Sequence, residues 1–153
     1  MADQNTTNPT PGEITIMAAG VVALIFSFFD FYKVPSVSVR GFSGGGGGVS
    51  AWGSGLFPTA TLMVIFVIIM AVQIAVARFS KANLPSPPLG FTWEQIHIVL
   101  GFFAALYAVA FLVVSKGGLD FGVGFWFILA ACIAALVGAI LLQRERATSP
   151  PSA

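Results

Sequence analysis

Four long apolar stretches limit the fold of this chain more than any other feature of its sequence. They cover residues 14–32, 57–77, 93–114 and 121–142, and none has a charged residue near its centre. The hydrocarbon core of a bilayer is about 30 Å thick, and about 20 apolar residues in an α-helix cross it. Each stretch is of about that length, so the sequence predicts four transmembrane helices.

Composition excludes several other classes of protein. Only 8% of the residues are charged and 57% are hydrophobic, whereas a soluble domain carries about 25% charged residues. The net charge of +1 provides no basic surface for nucleic acid and is too low for a disordered chain. The single cysteine excludes an intrachain disulfide framework and a thiolate zinc site. We therefore expect the lipid bilayer, and no nucleic acid, as a partner.

Local patterns favour helices over a transmembrane β-barrel. The run from Val64 to Met70 is continuously apolar, whereas barrel strands alternate apolar and polar residues. Thr92 and Gln95 have the spacing of a capping box at a helix start. The sequence therefore predicts an all-α polytopic membrane protein in which residues 13–143 form one domain. A cleaved signal peptide is the alternative for the first stretch, but residues 1–13 carry no Lys or Arg.

The segments outside the spans differ in character. Residues 1–12 and 144–153 are predicted to be disordered tails, since most of these residues are small and polar or proline. Residues 33–56 form a long connection that contains five consecutive glycines, Gly44–Gly48. Glycine neither buries apolar area nor resists bending, so this connection is predicted to be a flexible loop. A phosphate-binding loop is disfavoured because no Lys follows the glycines.

Four spans place both termini on one side of the membrane. The tails and the loop after residue 77 carry four basic residues, against three in the two opposite loops. Basic residues favour the cytoplasmic side. We therefore expect cytoplasmic termini and an outer glycine-rich loop.

Two motifs carry a resemblance to a family. The first predicted helix ends in Phe26-Ser27-Phe28-Phe29-Asp30-Phe31-Tyr32, and the loop carries Ser50-Ala51-Trp52-Gly53 before Phe57-Pro58. Over residues 12–60 the chain resembles a group of small actinobacterial four-helix integral membrane proteins, although Phe29-Asp30 replaces the usual Leu-Pro or Pro-Trp. The resemblance implies a plasma-membrane protein with this loop outside, and it implies no activity.

Small residues recur at helical spacing in two of the predicted spans. They are Ala19, Ala23 and Ser27 in the first span and Ala130, Ala134 and Gly138 in the fourth, where a second stripe of Ala131, Ala135 and Ala139 lies alongside. Small residues let membrane helices approach closely. These stripes predict helix packing, within the chain or with a second copy; the alternative is that Ala and Gly are simply frequent in membrane helices.

Three polar residues are the candidates for function. Glu94 and His97 share one helix face, which suggests either an interfacial pair or a pH sensor. Gln73 lies within the second span, where it can bond a neighbouring helix or line a transport path. Glu13 lies too near the membrane edge for a proton-coupling carboxylate. No catalytic, cofactor-binding or metal-binding constellation is predicted.

These observations predict a non-enzymatic integral membrane protein of the cell envelope. We expect a structural or accessory subunit that binds a second copy or a larger membrane protein. The alternative is a small oligomeric transporter or channel, which is disfavoured because ion-coupled carriers usually keep a charged residue at membrane depth.

Overall fold

The computed structural model describes residues 8–40, 42–80, 90–114 and 118–148 of the chain. Within these ranges the protein is mostly helical and contains four α-helices. They are α1 (Pro11–Phe26), α2 (Thr59–Phe79), α3 (Trp93–Val113) and α4 (Val123–Thr148). Helices α2, α3 and α4 are long and apolar enough to cross a membrane, whereas α1 is a shorter apolar helix of 16 residues.

Helix α1 begins and ends earlier than the predicted span 14–32. It begins early because Thr10 and Glu13 form a capping box in which each side chain accepts a hydrogen bond from the other residue's backbone N–H. It ends at Phe26, and Ser27 closes the last turn by donating its hydroxyl to the Leu24 carbonyl over 2.7 Å. The apolar residues after Ser27 leave the helix and enter a strand.

The other helices also differ from prediction at their ends. The predicted capping box at Thr92 and Gln95 is confirmed at the start of α3. Helix α4 continues to Thr148, six residues beyond the predicted span and into the predicted C-terminal tail. Residues 1–7 and 149–153 of the two predicted tails lie outside the described residues.

A small β-structure corrects the purely all-α prediction. Strands β1 (Asp30–Val34), β4 (Gly47–Ser50) and β5 (Asp120–Phe121) form an antiparallel sheet in the order β4-β1-β5. Tyr32 pairs with Val49 on one side and with Phe121 on the other. A second antiparallel pair joins β2 (Val37–Val39) to β3 (Phe42–Gly44).

The glycine run therefore belongs to ordered secondary structure rather than to a structureless loop. Gly44 ends β3, and Gly47 and Gly48 lie in β4. Gly45 and Gly46 turn the chain between these strands with φ values of 87° and 86°. That left-handed region is open to glycine without a steric penalty, so part of the run serves a turn.

The four helices pack as an antiparallel bundle. Helix α1 lies between α2 and α4, and α3 contacts the same two helices. Glycines allow close approaches between α1 and α4: a Cβ at Gly12 would lie 2.7 Å from the Leu142 backbone nitrogen, and one at Gly138 would lie 2.8 Å from an Ile16 side-chain carbon. Large side chains such as Met63, Met70 and Ile128 fill the centre.

The two ends of the bundle differ in chemistry. The sheet covers the end where α1 finishes and α4 begins, and there Phe31 and Phe125 are fully buried with their ring centroids 5.1 Å apart. The opposite end gathers the starts of α1 and α3 and the finishes of α2 and α4, together with charged side chains.

Candidate functional site: the charged end of the bundle

Among the described residues, six ionisable side chains meet at this second end, which we call the charged end. It comprises Glu13, Arg78, Glu94, His97, Glu145 and Arg146. Each helix contributes at least one of them, because an antiparallel bundle brings two helix starts and two helix finishes to the same level. Acidic residues favour helix starts and basic residues favour helix finishes, which matches Glu13 and Glu94 against Arg78 and Arg146.

Glu13 is almost completely buried, with 4% of its surface exposed. Its Oε2 atom lies 2.7 Å from Nη2 and 2.8 Å from Nε of Arg78, which forms a two-nitrogen contact between α1 and α2. The same oxygen accepts the Thr10 backbone N–H over 3.0 Å. A buried carboxylate needs such partners because desolvation of an unpaired charge is costly.

A second ion pair joins α3 to α4. Nη1 of Arg146 contacts Oε1 of Glu94, whose side chain is 10% exposed. The adjacent Glu145 turns towards α1 instead, and its Oε1 accepts the Gly12 backbone N–H over 3.1 Å. Three contacts therefore link the four helix ends in series: α2 to α1, α1 to α4, and α4 to α3.

His97 lies one helical turn beyond Glu94 and is 2% exposed. Neither ring nitrogen has a hydrogen-bond partner among the described residues. Glu94 and Arg146 are close enough to act on the ring electrostatically. Glu94 and His97 share a helix face, as predicted, and this face lies inside the bundle. The His97 ring has no hydrogen-bond partner in the described part of the chain.

A cavity of about 480 Å³ opens at the charged end between α1, α2 and α4. Of the described residues, four charged side chains line it, namely Glu13, Arg78, Glu145 and Arg146. Ala77 and Leu142 supply apolar wall. The lining therefore combines charges of both signs with apolar surface.

Gln73 lies apart from this cluster. It is half-buried on α2, six residues before the finish of that helix. None of the hydrogen bonds between described residues involves its amide. The structure therefore brings Glu94 and His97 together and leaves Gln73 on a separate surface.

The small-residue stripes occupy different surroundings. Ala19, Ala23, Ser27 and Gly138 are buried in the bundle. Ala130 is exposed and Ala134 is half-buried, whereas the neighbouring stripe of Ala131, Ala135 and Ala139 is buried. On α4 the inward face is thus displaced by one residue from the stripe that contains Ala130.

The two motifs that carry the family resemblance contact each other at the sheet end. Trp52 Nε1 donates to Ser27 Oγ over 2.9 Å, and the Ala51 N–H donates to the Ser27 carbonyl over 3.3 Å. Thr61 on α2 donates its hydroxyl to the Ala51 carbonyl over 2.9 Å. These hydrogen bonds fasten the Ser-Ala-Trp segment to α1 and α2. At the same end, burial raises the pKa of the Tyr32 phenol in β1 above its usual value.

Several residues of the charged end were not singled out from the sequence. Arg78 and Arg146 enter the sequence analysis only as basic loop and tail residues, Glu145 only as part of the predicted tail, and Glu13 only as a membrane-edge carboxylate. One local signal was available, because Thr10 and Glu13 have the same capping-box spacing as Thr92 and Gln95. The pairing of Glu13 with Arg78 spans 65 residues and has no local signal.

Within the described ranges, no three His, Cys, Asp or Glu side chains are grouped closely enough to hold a metal ion. Comparison with known protein families and with curated proteins gives no match.

Proposed function

We propose that this chain is a non-enzymatic integral membrane protein, with α1–α4 as its four spans, that serves as a structural or accessory subunit. The apolar outer surface of the bundle supports the proposal that it lies in a bilayer. Large apolar side chains are exposed on every helix, among them Val21, Ile69, Phe102 and Val137, each at least 47% exposed. Soluble monomers rarely expose apolar surface on this scale.

The observation that carries the accessory role is the Gln73 amide. It lies about 9 Å inside the end of α2, at 1.5 Å per residue, and takes part in no hydrogen bond among the described residues. Water is absent from the hydrocarbon core, so a polar group there is costly without a partner. A helix from a second copy or from a larger membrane protein would supply that partner.

The charged end supports the same proposal. Its ion pairs hold helix ends together, so these groups serve the stability of the bundle. We place the termini on the cytoplasmic side of the plasma membrane, because the charge count of the loops favours that orientation.

Co-purification of two differently tagged copies in mild detergent, with mass measurement of the assembly, tests the accessory role. We expect the wild-type chain to be held in an assembly, either with itself or with a partner at fixed stoichiometry. Gln73→Leu should weaken this assembly, whereas Val72→Leu, the matched change at a residue that is 53% exposed, should leave it intact. Wild-type chain that is purely monomeric would contradict the proposal. Solute flux into proteoliposomes that Gln73→Leu abolishes would favour a transporter instead.

A further inference from the structure

Two polar side chains lie on α2 and α3 away from the ends of both helices. Gln73 of α2 and Tyr107 of α3 are each six residues, or about 9 Å, before the finish of their helix. The two helices are antiparallel, so the amide lies nearer the charged end and the hydroxyl lies nearer the sheet end. In the proposed bilayer both groups are therefore at hydrocarbon depth, one in each leaflet.

Phe66 connects the two polar groups. It lies seven residues before Gln73, which is about two helical turns, so both side chains are on one face of α2. The ring centroid of Phe66 lies 6.4 Å from that of Tyr107 on α3. Ile69 and Phe103 belong to the same two faces by their spacing and are 47% and 43% exposed. We call the surface formed by these five residues the α2–α3 seam.

Neither polar group of the seam is satisfied within the bundle. Gln73 and Tyr107 are half-buried, and no hydrogen bond between described residues involves either side chain. Their polar atoms are not enclosed by the bundle, in contrast to those of the His97 ring, so both groups reach the outer surface. Hydrocarbon offers no hydrogen bonds, and each group therefore gains from a partner that arrives from outside the bundle.

A second copy of the chain carries a suitable polar group at each of these two depths. An amide and a hydroxyl each contain a donor and an acceptor, so each can bond its own kind. A twofold axis along the bilayer normal keeps every residue at its depth and brings it opposite its own copy. One operation therefore satisfies both groups, whereas an unrelated partner needs a matching polar group in each leaflet. Residues 62–77 and 98–110 contain no charged side chain, so like charges do not oppose this association.

We propose that a second copy of this chain docks on the α2–α3 seam about a twofold axis along the bilayer normal. Gln73 bonds Gln73 of the second copy through an exchange of amide N–H and carbonyl groups. Tyr107 bonds Tyr107 of the second copy, with one hydroxyl donating to the other. Ile69 and Phe103 supply apolar contact around these two polar pairs. The inference rests on the proposed membrane-embedded accessory subunit and identifies its partner as a second copy.

Cross-linking of single cysteines in native membranes tests the surface. In a Cys132→Ala background, Ile69→Cys should form a disulfide-linked dimer on mild oxidation, because the axis brings this residue opposite its own copy. Val137→Cys is the matched control, since it lies near the middle of α4 and has the same exposure of 47% as Ile69. It should remain monomeric. Equal cross-linking of the two variants, or cross-linking of neither, would overturn the proposed surface.

Association in lipid vesicles tests the two polar pairs. Purified chains labelled at Thr148→Cys in the Cys132→Ala background report dimer formation by energy transfer as they are diluted in lipid. Gln73→Leu and Tyr107→Phe should each lower the association constant about threefold to tenfold, the effect of a lost interhelical hydrogen bond. Gln143→Leu removes an exposed amide of α4 and should leave the constant unchanged. An unchanged constant in either seam variant, or an equal loss in the control, would overturn the pairs.

The number of copies separates failure of this inference from failure of the proposed function. Native mass spectrometry of the wild-type assembly should show two copies of the chain. Three or more copies would overturn the twofold axis, and a single copy bound to a different protein at fixed stoichiometry would overturn the second copy as partner. The accessory role would stand in both cases. A wild-type chain that is monomeric in membranes and in detergent would contradict the proposed function as well.

Discussion

Glu13 illustrates how an apolar helix can bury a carboxylate at its first turn. The side chain closes the capping box with Thr10 and faces two guanidinium nitrogens of Arg78. Its stability therefore depends on a partner that lies on another helix. Removal of that partner leaves a desolvated charge, which costs more than the loss of an exposed salt bridge.

We expect Arg78→Ala to lower the free energy of unfolding by about 3 kcal/mol, because Glu13 would remain buried without its partner. The double variant Glu13→Gln, Arg78→Gln removes both charges and should be less destabilised than Arg78→Ala. Unfolding in mixed detergent micelles, followed by circular dichroism, measures the difference. A double variant that is as unstable as Arg78→Ala would show that the ion pair is not the source of the loss.

His97 is a buried polar residue whose replacement should stabilise the protein, in contrast to the replacement of Arg78. Its imidazole is buried without a hydrogen bond among the described residues, so an apolar side chain should remove a desolvation penalty. We expect His97→Leu to raise the free energy of unfolding by about 1 kcal/mol, while His97→Asn should not. Thermal melts at about pH 5 and about pH 8 also test the pH-sensor hypothesis, which requires that His97→Leu abolish a difference in melting temperature between the two pH values in the wild-type chain.

At the level of elements, local sequence predicts the helices well and their partners poorly. Apolar length and the Thr92 capping box are properties of neighbouring residues, and they predict the four helices and the start of α3. The sheet depends instead on β1 pairing with β5, about ninety residues further along the chain. The glycines of β3 and β4 carry no side-chain alternation that would have revealed the strands.

The residues of the candidate site are likewise predictable where they lie on one helix and not where they meet across helices. Helical spacing predicts that Glu94 and His97 share a face, and the structure places both in the interior at the charged end. Arg146 joins Glu94 only through the packing of α3 on α4. The sequence also leaves open which face of α4 lies inwards, because two adjacent small-residue stripes differ by one position. Only tertiary contacts separate the exposed Ala130 from the buried Ala131.

Helix α4 offers a direct test of this phase. Gly138→Leu should destabilise the bundle by about 3 kcal/mol or prevent folding, because the new side chain meets Ile16 and the Gly12 carbonyl. Ala130→Leu, on the exposed face of the same helix, should be tolerated within about 0.5 kcal/mol. Melting temperatures in one detergent compare the two. Similar losses in both variants would contradict the assigned face.

For the whole molecule, the bundle separates a sheet-covered end from a charged end, and the proposed orientation places the sheet outside the cell. Single cysteines in a Cys132→Ala background test this orientation. A membrane-impermeant maleimide added to intact cells should label Ser54→Cys, which lies beyond the sheet, and should not label Thr148→Cys at the finish of α4. Both residues are exposed, whereas native Cys132 is fully buried. The reverse pattern would invert the topology.

The short α1 helix has a consequence for the surrounding lipid. Its 16 residues span about 24 Å, whereas the hydrocarbon core is about 30 Å thick, so the proposed bundle has a hydrophobic mismatch on one side only. If α1 spans the bilayer as proposed, the lipid beside it should thin, whereas the lipid beside α4 need not. We therefore expect a higher melting temperature in vesicles of shorter-chain phosphatidylcholine than in longer-chain vesicles. Extension of α1 by a turn of leucines after Ile25 should reverse that preference, and in a membrane of uneven thickness this asymmetry would draw the protein to the thinner regions.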